Sequence, residues 1–281
     1  MAMTTTPLDY WSLLVREDAS LPVFEAALSI AQDEYPSLDI LALLHQIDEF
    51  ASRLRARLPA DASMQHRVHC LNQLFFKELG FRGNANDYYD PDNSYLNRVI
   101  ERRCGLPITL SLLYMEIGQQ AGIPLQGVAF PGHYLVKVKI GGGEAFLDVF
   151  NGGTSLTYDD LVARIEPDLD TVRTTPNTIA AFLHEASPRE TLARTLRNLK
   201  NIYRYDKDWK RLLNVQQRMV ILLPEEPTEQ RDRGIAYAQL DCPSAAIEDL
   251  EAYLVARPQA EDRALIGEQL KMLRQAVGRL N

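Results

Sequence analysis

Between Ile108 and Ala121 the chain carries a helical run that is apolar on nearly every side, with polarity only at Thr109, Ser111 and within Glu116–Gln120. Such a helix has no face to give to water, so other elements must bury it. Pro107 suits its first turn, where a missing N–H costs nothing, and Gly122-Ile-Pro124 ends it. Three short segments follow, Leu125–Phe130, Tyr134–Ile140 and Glu144–Val149, with alternating or β-branched patterns; Gly141-Gly142-Gly143 joins the last two. The expected fold is α+β, a buried helix on an antiparallel sheet. The glycine run reads as a hairpin turn, because no Gly-Lys-Ser/Thr follows and no helix begins there.

Upstream the spacing is helical. Val23, Phe24, Ala27, Leu28 and Ile30 form one apolar face, and Ile40, Leu43, Leu44, Ile47 and Phe50 form another beyond Pro36. A third pattern runs through Val68, Leu71, Leu74, Phe75 and Leu79 and stops at Gly80. The turn formers of Gly83–Asn93 make a loop, whose Tyr88 and Tyr89 are expected to cover the core rather than line a cleft. After Pro188 the pattern is wholly helical. Pro224 and Pro258 stand 34 residues apart, as do Tyr203 and Tyr237, the period of tetratricopeptide (TPR) repeats. Gly234, Tyr237, Ala246, Leu250, Tyr253 and Pro258 fit the repeat well, whereas an earlier copy has Lys200 and Leu212 at its small-residue positions. The expected domains are 1–188, with the N-terminal helices and the sheet, and 189–281, a short TPR-like helical region.

Charge and cysteine usage narrow the classes. A formal charge of −8 disfavours broad capture of nucleic acid or anionic membrane, and no helix-turn-helix or zinc pattern is visible. Basic residues from Arg189 to Arg211 read as the wet face of a helix. Three scattered cysteines suggest no disulfide framework and fit a reducing compartment. No run approaches the roughly 20 apolar residues that span a bilayer, and Met-Ala-Met-Thr-Thr-Thr-Pro7 has no basic region before an apolar core. A cytoplasmic location is expected.

Cys104, His133 and Asp148 supply the parts of a nucleophilic site. If two glycines close the hairpin, Ile140 faces Gly143 and His133 faces Phe150, which puts Asp148 on the same sheet face as His133. An odd turn would separate them. In the bland alternative His133 caps the turn after Pro131-Gly132 and Asp148 bonds a nearby N–H. Cys104 precedes Pro107 by three residues and is expected outside the helix, where the dipole helps a thiol less. It is either a small hydrophobe or a nucleophile brought back by local geometry. His66, His69 and Cys70 share a helix face at metal-ligand spacing without a fourth ligand, so no metal and no cofactor is expected.

Asn93-Ser-Tyr-Leu96, Arg102-Arg-Cys-Gly-Leu-Pro-Ile108, Phe130-Pro-Gly-His-Tyr134 and Leu147-Asp-Val-Phe-Asn-Gly-Gly153, followed by TPR-like helices, resemble the bacterial SirB family with its transglutaminase-like core. The resemblance implies a papain-like α+β fold with a site at the buried helix's N-terminus. In active transglutaminase-like enzymes a cysteine opens that helix, and histidine and aspartate follow on adjacent strands. His133 and Asp148 match; the helix-opening place falls at or beside Pro107, with Cys104 upstream. Asn93, Arg103, Pro107 and Thr109 are the accompanying motif or cleft residues. The expectation is a protein that binds a protein or peptide through its cleft or TPR-like helices, with little or no catalysis. The alternative is a cysteine acyl-transfer enzyme using Cys104, His133 and Asp148. Direct binding of nucleic acid is not expected.

Overall fold

Proline and polar caps punctuate the helices. The computed structural model describes residues 6–165 and 176–280; the first five residues, read above for a leader, lie outside them. Helix α1 (Pro7–Leu14) opens on Thr6, whose hydroxyl accepts the Asp9 N–H while the Asp9 carboxylate accepts the Thr6 N–H. Helix α2 (Val23–Ser29) follows. Asp39 caps α3 (Ile40–Arg55) and Ser63 caps α4 (Met64–Asn72), which continues into a π-helical turn, Gln73–Glu78. Gly80 then takes a left-handed φ of 74°, as a helix stop requires.

Between Gly80 and Pro107 lies a small ladder that the spacing did not announce. Strand β1 (Arg82–Gly83) pairs in parallel with β2 (Cys104–Gly105), on either side of α5 (Leu96–Arg102). Helix α6 (Pro107–Gln120) begins at the expected proline, and eleven of its residues are buried, from Pro107 to Gly118.

A four-stranded antiparallel sheet runs in the order β3 (Leu125–Val128), β4 (Leu135–Ile140), β5 (Gly143–Asp148), β6 (Thr154–Leu156). Strands β4 and β5 form the expected hairpin: Ile140 pairs with Gly143, and Gly141 and Gly142 hold φ of 59° and 84°, the positive pair a two-residue turn demands. Strand β6 was not foreseen, being three residues without alternation. One sheet face packs Leu135 and Phe146 against Leu161 and Ile165 of α7 (Tyr158–Ile165) and Ile179 of α8 (Pro176–Phe182). The other face meets α6. There Gly118 lets the helix close on β3, since a Cβ at this position would fall 2.4 Å from Leu125 Cδ1. Gly118→Leu should therefore cost about 1–3 kcal/mol through overpacking, measurable as a lower urea midpoint with unchanged slope.

Five helices complete the chain: α9 (Pro188–Tyr205), α10 (Trp209–Leu222), α11 (Pro227–Gln239), α12 (Pro243–Ala256) and α13 (Arg263–Leu280). Contacts divide the chain into a unit of Asp18–Thr195 and a unit joining the segment up to Glu17 to Leu196 and beyond. The boundary expected at 188/189 falls at the first residue of α9. In the second unit the Trp11 indole N–H donates to the Arg218 carbonyl at 3.1 Å, and the Arg218 guanidinium lies 5.4 Å from the ring centre, which is why α1 groups with these helices.

The repeat is visible in the backbone. Asp208 N–H donates to Tyr203 O and Cys242 N–H to Tyr237 O. Lys207 and Asp241 each adopt a left-handed φ, 57° and 55°, one position earlier. Gly234 is needed for close approach in the better copy, a Cβ there meeting Leu250 Cγ at 2.9 Å. Its counterpart Lys200 corrects the wet-face expectation for that basic run. It is buried, with Nζ 2.6 Å from Glu229 and 2.7 Å from Asp232. Among the described residues no helix is long and apolar enough to cross a membrane.

Candidate functional site

The hairpin register delivers two of the anticipated side chains to one place. Val136 pairs with Leu147, so continuing the ladder sets His133 opposite Phe150 and diagonal to Asp148. The His133 N–H donates to Phe130 O at 3.0 Å across the turn at Pro131-Gly132, with Gly132 at a φ of 62°. The ring's Nε2 lies 2.8 Å from Asp148 Oδ1. The paired arrangement holds, and the capped turn coexists with it.

Asp148 is fully buried and gripped from several elements. Besides His133, Oδ1 accepts the Asn151 N–H at 3.2 Å, while Oδ2 accepts Asn151 Nδ2 at 2.7 Å and Arg164 Nη2 at 2.6 Å. Burial pushes its pKa upward, but the hydrogen bonds of His133 and Asn151 and the charges of His133 and Arg164 prevail and hold it down to about 2. An ionised carboxylate on Nε2 fixes the neutral imidazole as the Nε2–H tautomer and leaves Nδ1 as a proton acceptor.

Cys104 stands on a different element. It occupies β2, half-buried and unbridged, and among the described residues no hydrogen bond joins it to His133. Close contacts trace the space between helix opening and imidazole. His133 and Phe150 meet edge to face at 6.1 Å between centroids. A Cβ on Gly83 would meet the Phe150 ring at 2.7 Å, and Gly83 pairs with Gly105 in the β1–β2 ladder.

The accompanying motif residues build the wall around the helix opening. Thr109 Oγ1 accepts the Leu106 N–H at 3.0 Å and donates to Asn93 O at 2.8 Å. The Asn93 amide donates to Asp87 O at 2.6 Å and accepts from Asn84 at 3.0 Å, fastening the preceding loop. Pro107 fills the first helical position. Arg103 ends α5 at a left-handed φ of 57° and stacks its guanidinium 5.3 Å and 4.8 Å from the Phe50 and Phe81 ring centres, where burial lowers its pKa.

Two tyrosines correct the expectation that they cover the core. Tyr88 is 37% exposed and packs edge-on to Phe150 at 6.2 Å, and Tyr89 beside it is 77% exposed. Arg102 bonds Asp90 at 2.6 Å, and Arg98 bonds Asp92 at 2.9 Å, so a strapped loop presents aromatic surface next to His133. Of the suspected metal-type residues, Cys70 Sγ lies 3.5 Å from His66 Nε2, and no group of three potential ligands occurs among the described residues.

The family model of the transglutaminase-like superfamily matches residues 42–197. This chain belongs to the transglutaminase-like superfamily. The tetratricopeptide repeat model matches residues 199–271. A UPF0162 protein of Xylella fastidiosa is 38% identical, the match covering 91% of each chain. A UPF0162 protein of Pseudomonas aeruginosa is 32% identical, over 88% of this chain and 89% of its own. Protein SirB1 of Salmonella typhimurium is 26% identical over 81% and 84%. No solved structure matches. The SirB resemblance and the α+β core with TPR helices therefore stand.

Set against the transglutaminase-like pattern, the departure is local. His133 stands in the bend before β4 and Asp148 ends β5, while the helix opening offers Pro107, with neither a nucleophile nor an N–H. Sequence reasoning missed Arg164 and did not use Asn151, although Asn151 lay within a quoted motif. Asn151 had a signal, an Asx-type spacing of three from Asp148 before Gly-Gly. Arg164 had none, being carried by a different element.

Proposed function

We propose that this transglutaminase-like, TPR-containing chain acts mainly through protein interaction or regulation in the cytoplasm, with little or no catalysis of its own. One observation carries the reading: α6 opens on Pro107 while Cys104 lies on β2, and among the described residues no thiol is hydrogen-bonded to the imidazole acceptor Nδ1. The aromatic surface of Tyr88, Tyr89 and Phe150 suits capture of a peptide segment. TPR helices are interaction modules in their own right, and the partner is a protein or peptide rather than nucleic acid, in keeping with the net charge of −8.

The competing reading makes Cys104 a nucleophile, His133 its base and then acid, and Asp148 the group that orients His133. What favours it is the Asp148–Nε2 bond, which leaves Nδ1 in the form a base requires. Alkylation of Cys104 by iodoacetamide between pH 4 and 9, in the native chain and in His133→Ala, separates the two. The expected result is slow labelling at an ordinary thiol rate, the same in both proteins, with no turnover of peptide amides. Fast labelling below pH 7 that disappears in His133→Ala, accompanied by Cys104-dependent turnover, would establish the enzyme instead.

A further inference from the structure

On the α6 side of the sheet lies a cavity of about 210 Å³. It is on the other side from Asp148, since Tyr134, which lines it, alternates with His133 along the chain. Its apolar floor comes from Phe24, Leu112, Met115 and Leu125, and Glu116 and Glu185 stand on its wall. On the same wall the Tyr134 hydroxyl lies 2.8 Å from Thr191 Oγ1. The volume equals that of about seven liquid waters at about 30 Å³ each, enough for a short organic molecule.

The charges on the wall are unbalanced. Glu185 is paired with Lys137 at 2.9 Å and also accepts from Gln126 at 2.5 Å. Glu116 is the one charged residue of α6, half-buried on a helix whose residues from Pro107 to Met115 are all buried. Its hydrogen-bond partner is the neutral amide of Gln120, at 2.9 Å, and among the described residues no cation pairs with it. A carboxylate partly withdrawn from water beside apolar carbon is costly without a cation. An anionic ligand would raise that cost, and a neutral one would leave it. A metal ion would find a single uncommitted carboxylate.

We propose that this cavity binds a small organic cation, an alkylammonium whose N–H groups donate to Glu116 and whose short chain lies on Phe24, Leu112, Met115 and Leu125. The site is separate from the His133–Asp148 pair and stands whether or not that pair is catalytic. Thermal unfolding of the whole chain in rising n-pentylammonium chloride tests it, with 1-pentanol and sodium chloride as controls. A saturable rise in Tm with the amine alone is expected, and Glu116→Gln should weaken the apparent affinity roughly tenfold, the loss of a charge-assisted hydrogen bond. An equal rise with 1-pentanol, no saturable rise with the amine, or an unaltered response in Glu116→Gln would overturn the proposal. Should Glu116→Gln fail to fold, the amine and alcohol compared on the unaltered protein decide the question.

Discussion

Lys200→Met is expected to lower the unfolding free energy by about 3–5 kcal/mol, the scale of breaking a buried ion pair on one side. Lys200 Nζ bonds Glu229 at 2.6 Å and Asp232 at 2.7 Å, and the Lys200 and Glu229 side chains are 10% and 7% exposed. Asp232 keeps Arg231, 2.7 Å away, so the stranded group is Glu229, left with the Gln216 amide at 3.3 Å. Removing the carboxylate as well should therefore restore much of the loss: the Lys200→Met, Glu229→Gln double variant is expected to be more stable than Lys200→Met alone. Urea midpoints of the two singles and the double form the cycle that measures the coupling. Equal destabilisation in both lysine variants would mean that packing of the lysine stem, not the charge, holds α9 to α11.

The second large effect concerns Asp148. Its folded pKa is depressed to about 2 from a reference of 3.8, so the folded state favours the ionised form. The corresponding stability, about 2 kcal/mol, is fully present above the unfolded value near 4 and is lost as pH falls through that value toward 2. Asp148→Asn lacks this component and turns an amide toward donors from Arg164, Asn151 and His133. At pH 7 it should be about 3–5 kcal/mol less stable, with the gap to the native protein narrowing as the pH drops below 4. Urea unfolding at pH 7, 5 and 3.5 checks both sign and window. A gap independent of pH would show that Asp148 contributes shape rather than charge.

Much of this architecture could be read from residue order because the signals were periodic. A two-residue Gly141-Gly142 turn and a side-chain period of two are enough to place His133 and Asp148 on one face, and the Tyr203–Tyr237 interval gave the helix pairs beyond α9. What stayed hidden depends on partners distant in the chain. Lys200 looks like one of many basic residues on a wet helix until Glu229 and Asp232 are folded against it. Gly83 looks like a loop glycine until Phe150 packs on its bare Cα. Arg164 is sixteen residues from the carboxylate it bonds and belongs to a helix whose docking no local pattern encodes. Tyr88 and Tyr89 obey a general preference for burial in sequence terms, but salt bridges from Arg98 and Arg102 fix their loop with the rings outward.

The grip on Asp148 also bears on inheritance. Three side chains and one backbone N–H converge on a carboxylate that has no contact with water, so losing it harms folding before it harms chemistry. Selection for a stable chain alone is then sufficient to keep aspartate there, with histidine as its partner, whatever the site does chemically. The pair therefore records first how the scaffold is held together, and its presence is no measure of catalysis.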